Sequence, residues 1–138
     1  MSAKSRIARF SDMSAIQIRD FTRPVIGAAI AVHRELGPGL LEGTYRECLM
    51  RQLAEDGLQA RREVPIPLQY KGVVIDFSYR ADVIVEDSVL LELKAVEALQ
   101  PVHRAQILSY LKHSGLHFGL LINFNVDQLI KGVRRFVR

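Results

Sequence analysis

The chain has a single cysteine, Cys48, among 138 residues. An internal disulfide is therefore excluded, as is a zinc site built on cysteine pairs. Cys48 falls in a helical apolar pattern with Leu41, Tyr45 and Leu49, which reads as a small core residue ahead of a reactive thiol. A reducing compartment fits this usage, and a cytoplasmic location is expected. Long hydrophobic runs are missing too, so no membrane span is expected. Lys4, Arg6 and Arg9 are followed by none of the apolar sequence that a secretory leader needs. There are no internal repeats and no low-complexity tracts. The pattern G-x-x-x-x-G-K-[ST] is absent, and so is a dinucleotide fingerprint, which argues against phosphate binding by a glycine-rich loop.

What is present suits one ordinary globular domain. The hydrophobic fraction of 49% and the charged fraction of 25% are those of a folded protein rather than a disordered one. At this length a domain buries roughly two thirds of its unfolded surface, so neither disulfide nor structural metal is required. The net charge of +4 favours approach to an anionic polymer without establishing one. Residues 1–13 read as a polar arm and residues 14–138 as a single domain.

The coarse pattern alternates helix and strand. A helix is expected from about Pro24, with Val25, Ile26, Ala28, Ala29, Val32 and Leu36 apolar, ending at Gly37-Pro38-Gly39. A second helix runs from about Leu41 to Asp56 and stops at Gly57. A strand follows from Gln59 to Tyr70, with Val64, Ile66 and Leu68 on one face and Pro65 and Pro67 on the other, which gives it edge character. Lys71-Gly72 reads as a hairpin turn. Val73 to Tyr79 and Ala81 to Val85 are extended, Glu86-Asp87-Ser88 turns, and Val89 to Val96 is a strongly apolar strand. A third helix is expected from Pro101 to near Gly115, then strands from His117 to Phe124 and from Gly132 to Val137. This order predicts an α/β domain with a central mixed β-sheet flanked by α-helices.

The apolar strand is broken by two charges, Glu92 and Lys94. Strand alternation puts both on one face, while Leu91, Leu93 and Ala95 face the core. Asp82 lies on the preceding strand, and a hairpin at residues 86–88 brings it near Glu92. Two converging carboxylates with an ammonium beside them suit phosphodiester hydrolysis. Asp82, Glu92 and the Leu93 carbonyl can ligate Mg²⁺ or Mn²⁺, hard cations that prefer oxygen. The ion lowers the pKa of a bound water, and Lys94 orients that water or stabilises phosphate charge. An ion pair of Lys94 with Glu92 or Asp82 on a solvated face uses the same three residues.

Further candidates surround this core. Glu42 lies on the half of its helix that carries Tyr45, Leu49 and Leu53. It reads either as a third metal ligand or as a first-turn acid favoured by the helix dipole. Gln106 and Tyr110 share a helix face at i, i+4, where they can orient water or substrate or simply form an amphipathic boundary. His103, one turn earlier, is a candidate phosphate contact or a surface histidine. Lys131, Arg134 and Arg135, with Arg138, form a basic end that could track a nucleic-acid backbone or stay a solvated edge.

Taken together, these segments carry a resemblance. Gly39-Leu40-Leu41-Glu42-Gly43-Thr44-Tyr45 matches the pattern G-x-x-E-x-x-Y, and Val32 to Gly39, Ala81-Asp82, Glu92-Leu93-Lys94-Ala95, Gln106 to Leu111 and Gly119 to Phe124 accompany it. From about Val25 to Val137 the chain resembles the GxxExxY proteins, a family grouped with the PD-(D/E)xK nucleases. The resemblance implies a restriction-endonuclease-like core. It implies Asp82 and Glu92 as metal ligands, Glu42 as a contributor, Lys94 as the catalytic lysine, and Gln106-x-x-x-Tyr110 as the element of the exonuclease branch. Ala81 stands where the nominal motif has proline. The expected function is metal-dependent cleavage of nucleic acid, DNA ahead of RNA. A catalytically silent nucleic-acid-binding module and a protein-interaction module are the alternatives on the same fold. A homodimer or a larger protein partner would give so small a nuclease more surface for a duplex.

Overall fold

Helix α1 spans Ala15–Leu36 and therefore begins well before Pro24, which lies inside it. The computed structural model describes residues 15–76 and 79–138, with side chains from residue 19 onward; the expected polar arm, 1–13, falls outside them. Proline inside a helix costs about 3 kcal/mol in isolation. Here the turn before it is anchored from outside the helix. Phe21 stacks on Phe118 with ring centroids 5.0 Å apart, and Thr22 is buried. Tertiary packing overrides the local start signal at Pro24.

Helix α2 spans Glu42–Glu55. The link between the helices needs glycine, because Gly37 and Gly39 have φ of 68° and 99°. Tyr45 holds that link in place. Its hydroxyl donates to the Gly37 carbonyl at 2.6 Å and accepts from the Leu40 N–H at 3.1 Å. Its ring stacks on Phe124 at 4.5 Å. One buried residue thus ties the turn, the helix and the sheet together and sets where Glu42 emerges. Leu41, expected on the apolar face, is instead 80% exposed just outside the helix. Tyr45→Phe should keep the stack, lose both hydrogen bonds and cost about 1–2 kcal/mol of stability in urea unfolding.

The strands in chain order are β1 (Ala60–Pro65), β2 (Leu68–Tyr70), β3 (Val73–Ile75), β4 (Arg80–Val85) and β5 (Val89–Lys94). Helix α3 (Pro101–Ser114) follows, then β6 (Phe118–Asn123), a 3₁₀ turn (Leu129–Gly132) and β7 (Val133–Val137). The main sheet has the order β1-β4-β5-β6-β7. Its β5–β6 pair is parallel and the other pairs are antiparallel. The edge character expected from Pro65 is realised by β1. The stretch from Gln59 to Tyr70 is not one strand, however. It breaks after Pro65, where Ile66 buries its side chain and donates its N–H to the Tyr79 carbonyl. Beyond that point β2 and β3 form their own hairpin about Lys71-Gly72. The sheet therefore draws on fewer of the central strands than a continuous reading suggests.

Helices cover both faces. α1 and α2 pack on Val83, Leu91, Leu93, Leu120 and Ile122. α3 packs on Ile84, Leu90, Leu121 and Phe136. A side chain at Gly119 would meet Ile107 and Leu111 at 3.1 Å, so glycine there lets α3 lie close on β6. The expected mixed α/β architecture is present. Its register puts Asp82, Glu92 and Lys94 on the α3 face, near the end of the sheet where α2 begins.

Candidate active site

The β4–β5 hairpin pairs Val85 with Val89, Ile84 with Leu90 and Val83 with Leu91. One step beyond, Asp82 stands opposite Glu92, and here side chains take over from ladder hydrogen bonds. Asp82 Oδ2 accepts from the Leu93 N–H at 2.7 Å. Glu92 Oε1 accepts from the Asp82 N–H at 3.3 Å. Each acid is thus pinned to the other's strand. The pair is deeply set, with Glu92 only 3% exposed.

The electrostatics follow from that burial. Glu92 is pushed up to about 8, first by burial and then by the charge of Asp82, against a weaker pull from the Asp82 N–H and Lys94. Burial also raises Asp82, although the Leu93 N–H, Lys94 and Arg46 oppose it. Glu42 is raised by burial and then by Asp82, so the first turn of α2 reaches the same field. A cation would lower the free energy of every one of these groups when ionised. Lys94, half-buried on β5, supplies part of that charge to all three acids but forms no ion pair with any of them among the described residues. The simple ion-pair reading of the three-residue pattern does not describe this geometry.

Helix α3 brings a second set to the same face. Gln106 Nε2 donates to the Tyr110 hydroxyl at 3.2 Å. Tyr110 is 6% exposed, and Tyr79 meets its ring edge-on at 6.2 Å. Its hydroxyl is held above the usual tyrosine range, chiefly by burial, with the charges of Glu92 and Asp82 adding to it. The i, i+4 pair therefore faces the carboxylates.

Other candidates lie elsewhere or are otherwise engaged. His103 caps its own helix, where its Nδ1 accepts from the Gln100 N–H at 3.0 Å. The basic end does not act as one patch. Lys131 pairs with Asp127 at 3.6 Å, and Arg134 donates to the carbonyls of Lys131 and Val133. Arg135, next along β7, points to the opposite face and donates to Thr22 Oγ1 on α1 at 3.0 Å. His33, near the end of α1, places Nε2 2.8 Å from the Val126 carbonyl. Among the described residues no three His, Cys, Asp or Glu side chains are grouped as a ready metal cage. Asp82 and Glu92 are a pair, and Glu42 feels them without closing a triad.

Three residues near the site have no role assigned to them from the sequence. Arg46 lies one helical turn after Glu42, and its guanidinium is 3.8 Å from both Asp82 and Glu63. The i, i+4 spacing from Glu42 was a usable signal. Glu63 lies between Arg62 and Val64, whose register partners Val83 and Ala81 flank Asp82, and has φ of 49°, unusual for a non-glycine residue in a strand. Asn123 is buried at the end of β6. Its side chain accepts from the Val96 N–H at 3.1 Å and donates to the Val96 carbonyl at 2.9 Å, which holds the chain just after Lys94. No local pattern marks Glu63 or Asn123.

A mixed sheet between helices, with two carboxylates and a lysine where β4 and β5 part, defines a restriction-endonuclease-like domain. The chain belongs to the PD-(D/E)XK nuclease superfamily, whose family model matches residues 19–136. No curated protein and no solved structure gives a significant match.

Proposed function

We propose that this protein is a metal-dependent nuclease that hydrolyses phosphodiester bonds of nucleic acid, DNA ahead of RNA, within the GxxExxY group of its superfamily. The observation that carries the reading is the pairing of buried Glu92 with half-buried Asp82, whose charges repel each other while Lys94 stands beside them unpaired. A purely structural role leaves that repulsion without a purpose. Two close carboxylates in a half-dry site are suited to a hard divalent cation, Mg²⁺ or Mn²⁺. Asp82 and Glu92 would hold it, Glu42 would add charge from α2, and the backbone or water would complete the shell. When bound, the ion supplies Lewis-acid polarisation of the phosphate and acidifies a water.

The chain's own residues do the rest. Lys94 stabilises the charge that grows on the phosphate oxygens. Gln106 fixes the Tyr110 hydroxyl, and that pair orients water or substrate above the acids. Asn123 keeps the strand end that presents Lys94 from fraying. No helix among the described residues is long and apolar enough to cross a membrane, and the lone cysteine supports a cytoplasmic setting.

The test is cleavage of labelled single-stranded DNA, double-stranded DNA and RNA in Mg²⁺, Mn²⁺ or EDTA. Metal-dependent products that vanish in Asp82→Ala are the expected result. Binding without cleavage under every condition would favour the silent nucleic-acid-binding module instead.

A further inference from the structure

We infer that Arg46 binds the phosphate of the nucleic acid beside Asp82, as a substrate-binding residue distinct from Lys94. The inference rests on the nuclease reading for its setting and on Arg46's own surroundings for its content. The residue comes from the second turn of α2 and leans toward the sheet, with 22% of its side chain exposed. Oxygens of Glu47, Glu63 and Asp82 lie 3.5, 3.8 and 3.8 Å from it. Charge-assisted hydrogen bonds run at about 2.7–2.9 Å. The guanidinium is therefore attracted by three acids and hydrogen-bonded to none. Its Nε is buried and has no hydrogen-bond partner.

A buried donor without an acceptor is costly, on the order of 1–3 kcal/mol, and a structural arginine ordinarily closes a two-pronged pair to avoid it. The acids around Arg46 do not offer that closure. Glu47 gives Oε1 to Arg62, and its Oε2 stands 3.5 Å from Arg46 Nε without a hydrogen bond. Asp82 gives Oδ2 to the Leu93 N–H. Glu63 is 55% exposed and sits on a left-handed backbone. The unfilled fork has the planar geometry that matches two oxygens of a phosphate, which the point charge of Lys94 does not. Nη1 faces Asp82 and Nη2 faces Glu63, so a phosphate next to Asp82 would be met by the terminal nitrogens of the fork, beside the proposed metal pair.

The experiment uses Lys94→Ala protein, which holds substrate without turnover, with Arg46 intact or changed to Lys or Met. A short fluorescent single-stranded DNA in Mg²⁺ is titrated and followed by anisotropy, and the Arg46 Nε–H resonance is followed by NMR. Arg46→Lys keeps the charge and should still weaken binding about tenfold or more, with Arg46→Met at least as weak. The Nε–H resonance should move as DNA saturates the site, which a structural counter-ion would not do. Circular dichroism checks that both variants fold, and Arg46→Lys keeps the test valid should Arg46→Met not fold. Failure of wild-type protein to cleave would sink the nuclease reading but not this one, provided binding still depended on Arg46. Equal affinity in Arg46→Lys, or an Nε–H signal unmoved by DNA, would overturn it.

Discussion

Lys94→Ala is expected to leave the domain folded and to lower the rate of phosphodiester cleavage by about 10²-fold or more, the cost of losing one preorganised transition-state donor. The fold should tolerate the change because Lys94 is half-buried at the end of β5 and closes no ion pair. The strand itself is held by Val89, Leu90, Leu91 and Leu93, all buried. What disappears is a positive charge that acts on Glu42, Asp82 and Glu92 together. Two consequences follow. Charge on the reacting phosphate loses its partner, and the acids hold their protons more tightly, so the dependence on metal concentration should steepen. The measurement is kcat at saturating Mg²⁺ alongside a thermal melt. A folded variant within twofold of wild type would remove Lys94 from the mechanism.

A change of Glu92 to Gln is expected to stabilise the metal-free protein at pH 8 while abolishing cleavage. Glu92 carries a folded-state pKa of about 8 against 4.5 in a free side chain. Below about pH 4.5 the carboxyl is protonated in both the folded and the unfolded chain, and burial carries no electrostatic cost. As pH rises toward 8, the unfolded chain releases its proton while the folded one retains it. Stability therefore falls through that window and levels off above it. Each unit between the two pKa values is worth about 1.4 kcal/mol, so the loss amounts to a few kcal/mol. Asp82 and Glu42 are shifted in the same direction and add to the slope. Gln keeps an oxygen for the Asp82 N–H and carries no charge. Urea unfolding in EDTA at pH 5 and pH 8 should show a steep decline in wild type and a flatter one in the variant. Mg²⁺ should restore wild type at pH 8 by mass action and leave the variant much less affected. Parallel slopes for the two proteins would mean that Glu92 is not the strained acid.

Much of this site was legible along the chain because it sits on regular elements. Glu92 and Lys94 share a face through strand alternation, and the turn at residues 86–88 returns Asp82 to them. Gln106 and Tyr110 share a face through helical spacing and do meet. Errors arose where tertiary packing overrode local signals. Pro24 reads as a helix start, yet the Phe21–Phe118 stack carries α1 past it. Pro65 and Pro67 break a stretch that alternation joins. Arg134 and Arg135 look like one basic patch but, as neighbours on a strand, point to opposite sides.

By itself the sequence determined the order of elements, the face of β5 that carries the charges and the chemistry those residue types allow. These depend on periodicities of two and 3.6 residues, which are local. Only the tertiary structure decided that Glu92 is buried against a half-buried Asp82, that Arg46 leans toward them from another layer, and that His103 serves its own helix instead. Those outcomes depend on register between strands and on how closely helices approach the sheet. Burial turns a pair of ordinary acids into a strained one, because the cost of a charge is set by the medium around it rather than by its neighbours in the chain.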